Sequence, residues 1–172
     1  MKVIGIDPGT KATGFGVIES IDNHYRVLGY GVIHPAPKLS LANKLKEIKQ
    51  KLEELIIEFS PDAAAVENLF YAQNVKTAII LGGVRGVVLS VLASHQCPIF
   101  EYTPLEVKKA ITGYGRAEKN QVNKMIQSLV KINDPTIEKD ASDALAVAIC
   151  HLNSINFKQK LNHIKSSKAN QK

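Results

Sequence analysis

A chain of 172 residues, 45% hydrophobic and 22% charged with no Trp, has the length of one domain able to bury about two-thirds of its surface. Cys97 and Cys150 stand apart without metal-finger spacing, which points to reduced thiols in a cytoplasmic protein rather than a disulfide or zinc scaffold. No secretory segment or bilayer-spanning run is expected: the longest apolar stretch, Thr77 to Ala93, is interrupted by Gly82, Gly83, Arg85 and Gly86. The net charge of +6 is mostly a tail effect, because residues 156–172 hold five Lys and no acid, leaving 17 basic against 16 acidic residues in 1–155. A polyanionic ligand is favoured if the domain gathers its acids in one cleft and leaves the remaining surface basic.

In chain order, the β-branched run Val3-Ile4-Gly5-Ile6 delivers Asp7 and turns through Pro8-Gly9. Such a short apolar strand belongs in the middle of a sheet, with Asp7 at its reachable end. That position suits a metal or phosphate seat, and equally an ordinary turn-forming Asp. Thr13–Ser20 and Tyr25–Ile33 read as two further strands, joined by the turn Ile21-Asp22-Asn23-His24 into an antiparallel meander. Ser40 is placed to cap a helix whose Leu41, Leu45, Ile48, Leu52, Leu55, Ile56 and Phe59 form one stripe, ended by Ser60-Pro61. Ala63–Val66 is a short buried strand running into Glu67; reached through a helical crossover, it should lie parallel to the strand it joins.

Asn74 can cap a helix over roughly 75–95. Its Gly82, Gly83 and Gly86 each cost about 1 kcal/mol against Ala and suggest close approach of another backbone, from the sheet or from a second subunit. Pro98–Tyr102 is the fifth strand, and Thr103-Pro104-Leu105-Glu106 is a capping box opening a helix to about Ile111. After the connection Gly113-Tyr114-Gly115-Arg116, helices are expected over about 117–132 and 138–153, separated by Asp134-Pro135. The division expected is one domain over 1–153 and a basic, disordered tail over 154–172. The order is βββαβαβ followed by helices, without internal repeat.

Asp140 and Asp143 stand at i and i+3 of a helix, with Cβ atoms about 5–6 Å apart. Acids in a first helical turn favourably oppose the dipole, but Asp143 is followed directly by the apolar run 144–149 and so lies at the margin of a buried face. If the strands bearing Asp7 and Glu67 are neighbours, these carboxylates reach the same edge. Oxygen-only donors from two strands and a helix suit paired Mg²⁺ ions, which can activate water and stabilise a departing 3′ oxygen. The five His residues are scattered and form no metal pair.

These features resemble a known family. Asp on the first strand, Glu on the fourth and Asp on the last helix are similar to the ribonuclease H-like nucleases. Four blocks in order resemble more closely the RuvC crossover junction endodeoxyribonucleases, over residues 1 to about 152. They are Gly5-Ile6-Asp7-Pro8-Gly9 with Thr13-Gly14, then 67–74 from Glu67 to Asn74, 113–122 from Gly113 to Val122, and Asp140-Ala-Ser-Asp143-Ala-Leu-Ala. The resemblance implies an α/β fold: a five-stranded mixed sheet, three antiparallel strands then two parallel, with helices on both faces.

It further implies that Asp7, Glu67, Asp140 and Asp143 are the catalytic metal ligands. Phe70 would stack on a base near the crossover, and Lys108 and Lys119 would lie near the scissile phosphate. The implied activity is Mg²⁺-dependent resolution of four-way (Holliday) junctions by paired nicks during recombination and repair, with two ions per site and Mn²⁺ able to substitute. The implied partners are junction DNA, a second copy in a two-fold homodimer and the RuvA–RuvB branch-migration complex, in the cytoplasm and away from membranes. Read without the family, Phe70-Tyr71 could be a hydrophobic staple and Lys119 a solvated helix residue. The acids alone do not choose DNA over RNA, a non-catalytic junction binder stays open, and Asp7-x-Gly9-Thr10 also resembles the phosphate loop of actin-like kinases, which need two such domains.

Overall fold

The computed structural model describes residues 1–22, 24–68, 75–132, 134 and 136–169, with Lys119 and residues 158–169 described by backbone alone. Asn74, the expected helix cap, and the Phe70-Tyr71 pair lie outside the described residues. The strands are β1 (Lys2–Asp7), β2 (Thr13–Ile21), β3 (His24–Ile33), β4 (Ala63–Glu67) and β5 (Ile99–Tyr102). The helices are α1 (Leu41–Phe59), α2 (Val75–Ser94), α3 (Pro104–Thr112), α4 (Lys119–Val130) and α5 (Lys139–Ala169).

The sheet order is β3-β2-β1-β4-β5. The first three strands form the expected antiparallel meander, and β4 and β5 add in parallel. β1 is therefore central, as its unbroken apolar run requires. Alternation along it sends Ile4 and Ile6 to a core shared with α1 and α2, where Leu52, Ile56, Val88 and Leu92 are buried. Val3 faces the opposite core, built from α3, α4 and the apolar run of α5.

Two caps read from the sequence are present. Ser40 Oγ accepts from Asn43 N–H at 3.4 Å to open α1. Thr103 Oγ1 accepts from Glu106 N–H at 3.3 Å while the Glu106 carboxylate accepts from Thr103 N–H at 2.8 Å, closing the capping box of α3.

Two expectations need correction. Helix α5 continues to Ala169 instead of ending near Asn153. Asn153 is no terminator here: its side chain accepts from Tyr25 Oη at 2.5 Å and donates to Ala110 O at 3.1 Å. No Gly or Pro follows it to break the helix. The second correction concerns α2, which is long and apolar enough, by length and composition, to cross a membrane. Its glycines do not interrupt the helix. In the fold, α2 packs Val84, Val88, Val91 and Leu92 against its neighbours and pairs Arg85 with Glu101 of β5, so that one face is buried while most of the helix stays exposed.

Candidate active site

The parity that places Val3 and Gly5 on the α5 side of the sheet also places Asp7 there, at the C-terminal end of β1. β4 runs alongside with Gly5 opposite Ala65 and Ile6 opposite Val66. Ala65 belongs to the α5-side core, so Glu67, two residues on, faces the same way. Two acids thus emerge side by side from neighbouring parallel strands. Asp140, in the first turn of α5, and Asp143, one turn on, come to meet them.

Glycines make that meeting possible. A Cβ on Gly5 would lie 2.0 Å from Ala144 O, and one on Gly14, the partner of Asp7 across the β1–β2 ladder, would lie 1.9 Å from Asp140 O. The helix backbone therefore rests directly on the strand backbone at these two points. The turn after Asp7 is braced by Thr13, whose buried hydroxyl donates to Gly9 O at 2.8 Å and accepts from Gly9 N–H at 3.3 Å. Ser142, buried between the two aspartates, donates to Asn123 Oδ1 at 3.2 Å and ties α4 to the acid-bearing turn.

Asp7, Asp140 and Asp143 each bring a carboxylate oxygen to within 4.8 Å of the others. Glu67 joins them through a side-chain hydrogen bond with Asp7. Burial, then the charges of Glu67, Asp143 and Asp140, push the Asp7 carboxyl from its ordinary 3.8 up to about 8. Every influence on this group raises it, which is the electrostatic signature of a site short of positive charge. The donors are all oxygens, the set a hard divalent cation takes. An open cleft of about 410 Å³ receives them, walled by Pro8–Ala12 and Leu81, with Lys11 and Lys139 at its rim. A larger hollow, about 740 Å³ beside Phe15, Glu47 and Leu55 of the α1 side, is not lined by these acids.

All four predicted acids therefore converge. Lys108 sits half-buried on α3, outside the lining of the acid cleft. Lys119 opens α4, its side chain outside the described residues, as is Phe70 altogether. Sequence reasoning missed the Thr13 brace, the Ser142–Asn123 tie and the rim lysines Lys11 and Lys139. Lys139 could have been found from its place beside Asp140; a contact between residues 123 and 142 leaves no local signal.

A mixed sheet in this order, with acids from β1, β4 and the last helix, is the architecture of the ribonuclease H-like nucleases. The family profile of the crossover junction endodeoxyribonuclease RuvC matches residues 3–151. The chain is 47% identical to the crossover junction endodeoxyribonuclease RuvC of Syntrophomonas wolfei over 154 residues, 90% of each chain. It is 45% identical to that of Alkaliphilus metalliredigens over 157 residues, 91% of this chain and 96% of the other. The structure of Thermus thermophilus RuvC in complex with Holliday junction substrate superposes with a TM-score of 0.87 at 29% identity, covering 92% of this chain and 96% of that one. The chain belongs to the RuvC family of crossover junction endodeoxyribonucleases.

Proposed function

We propose that this chain is a divalent-metal-dependent endonuclease that resolves Holliday junctions by paired symmetric nicks in DNA recombination and repair, with Asp7, Glu67, Asp140 and Asp143 as its metal-holding catalytic residues. The observation that carries the reading is the convergence of these carboxylates in one cleft, in a family whose members are named for this reaction. Mg²⁺, two ions per site, is the cofactor assigned, with Mn²⁺ as substitute; the all-oxygen donors favour hard cations. When bound, such ions supply positive charge for the scissile phosphate and lower the pKa of attacking water.

The chain's own residues prepare the cleft. Asp7 would hold a cation in its ionised form, and the backbone contacts of Gly5 and Gly14 hold α5 so that Asp140 and Asp143 face the same cleft. Lys11 and Lys139 at the rim attract the phosphate backbone and offset repulsion between DNA and the acids. Lys108 and Lys119 are assigned to phosphate contacts and Phe70 to stacking on a base near the crossover, on the strength of the family resemblance.

Helix α2 supports the homodimer. Val75 is 76% and Ile79 69% exposed, and Cβ atoms on Gly82 and Gly86 would meet nothing within 4 Å, so the close approach these glycines permit is not used among the described residues. A second copy laid on this face would give two active sites about a two-fold axis, matching two opposed strands. Cooperation with RuvA–RuvB and residence in the cytoplasm are assigned on the strength of the family resemblance. The nuclease domain is assigned to 1–153, supported by the family match ending at 151 and by a core that runs to Leu152 among the described residues.

The test is incubation with a synthetic four-way DNA junction, with Mg²⁺ and with EDTA, mapping nicks on each strand beside a structured RNA control. Symmetric metal-dependent nicks in the junction alone are expected. Cleavage of RNA in preference, or cutting undiminished by EDTA, would overturn the reading.

A further inference from the structure

Away from the acid cleft, the connection between α3 and α4 carries an aromatic residue with no role in the chemistry so far. Tyr114 is 60% exposed between Gly113 and Gly115. Exposure here does not mean a loose loop. Gly113 takes the left-handed conformation, φ +75°, and donates its N–H to Lys109 O to close α3. The Thr112 hydroxyl lies 2.9 Å from both Lys108 O and Tyr114 O and accepts from Tyr114 N–H at 3.2 Å. Ala117 N–H donates to Tyr114 O at 3.2 Å, and a Cβ on Gly115 would lie 3.1 Å from Leu105, so the loop is folded down onto α3. The backbone is fixed and the ring is presented outward.

Beside the ring runs an open groove of about 560 Å³, floored by Gln121, Met125 and Ser128 of α4 and bordered by Lys124. The surroundings are strongly basic: residues 104–131 contain six Lys or Arg and two Glu. Of those Glu, Glu106 is committed to the Thr103 cap and Glu118 opens α4, where its charge opposes the helix dipole. Among the described residues, Lys108, Lys109, Arg116 and Lys124 form no ion pair. Helix α4 is also the element tied to the acid-bearing turn through Asn123 and Ser142.

We propose that the Gly113–Arg116 loop and its groove are a further DNA-binding site, in which the Tyr114 ring packs on a nucleobase of one junction strand while Arg116 and Lys124 neutralise its phosphates. A rigidly held aromatic loses little conformational freedom on stacking, and free cations beside it supply the salt-dependent attraction that single-stranded segments require. The assignment rests on the reading of the chain as a junction nuclease.

Because the chain has no Trp, Tyr114→Trp installs its only indole at the site. In an Asp7→Asn background that prevents cutting, indole emission is expected to be quenched as a four-way junction is added. Tyr114→Ala should weaken junction binding about 10-fold and Tyr114→Phe should retain it. The pair Arg116→Ala and Lys124→Ala should lower the slope of log affinity against log salt by about 2. Junction binding that leaves the indole emission unchanged, or a Tyr114→Ala variant with wild-type affinity, would overturn the proposal. The two readings fail separately, since cutting by the wild-type chain tests the nuclease and indole emission tests this site.

Discussion

Replacing Asp7 by Asn should make the metal-free protein more stable while abolishing its cutting. Asp7 is held near pKa 8 against an ordinary value of 3.8. A carboxyl raised in the folded state imposes no cost below 3.8, an increasing cost as pH climbs from there, and its full cost above about 8. At pH 7 the interval above 3.8 corresponds to about 4 kcal/mol as a ceiling. Glu67, Asp140 and Asp143 remain to repel one another, so about half of that, ~2 kcal/mol, should be recovered by Asn, equivalent to roughly 4–8 °C in melting temperature for a chain of this size.

Thermal melts in EDTA between pH 5 and pH 9 should show the gap between variant and wild type widening with pH. Millimolar Mg²⁺ should reverse the order, because a ligand that binds only the folded state stabilises it and here displaces the Asp7 proton. Junction binding should survive the substitution. If Asp7→Asn melts below wild type without metal, or cuts at the wild-type rate, Asp7 is not part of a charge-deficient metal site.

Gly14→Ala would drive a methyl group to 1.9 Å from Asp140 O, against backbone that cannot rotate away; cleavage rate at saturating junction should fall at least 100-fold, a misplacement effect, with destabilisation visible by melting. Thr103→Ala should cost about 1 kcal/mol, or roughly 2–4 °C, by removing the cap of α3. Glu106, held below its ordinary 4.5 chiefly by the backbone hydrogen bond from Thr103, contributes stability that is complete above that value and lost as pH falls through the depressed one. The melting difference between wild type and Glu106→Gln should therefore vanish in acid. Ile79→Asp should dissociate the proposed homodimer in analytical ultracentrifugation; wild-type chain that stays monomeric at micromolar concentration, even with junction DNA, would remove α2 as the dimer face.

Much of this arrangement could be read from residues alone, because the signals are local. Ser40 and the Thr103–Glu106 box announce helix starts; the apolar run before Asp7 announces a central strand; the Asp140–Asp143 spacing announces one helical face. What stayed hidden depends on contacts distant in sequence. Nothing around Asn153 reveals that Tyr25 and Ala110 will engage its side chain and let α5 run on. The glycines of α2 looked like interruptions, yet a helix buried on one face tolerates them. Gly5 and Gly14 looked like ordinary strand glycines until α5 was seen resting on them.

That backbone-on-backbone seam has a consequence for how the site can vary. Where peptide groups touch, no choice of rotamer or neighbouring bulk can widen or narrow the gap, so the spacing between strand-borne and helix-borne acids is inherited from main-chain geometry. Changes in metal preference must then come through the identity of the acids themselves. A chain able to close this seam has its donors in place before any ion arrives, and one unable to close it lacks a correctly seated last helix as well as an active site.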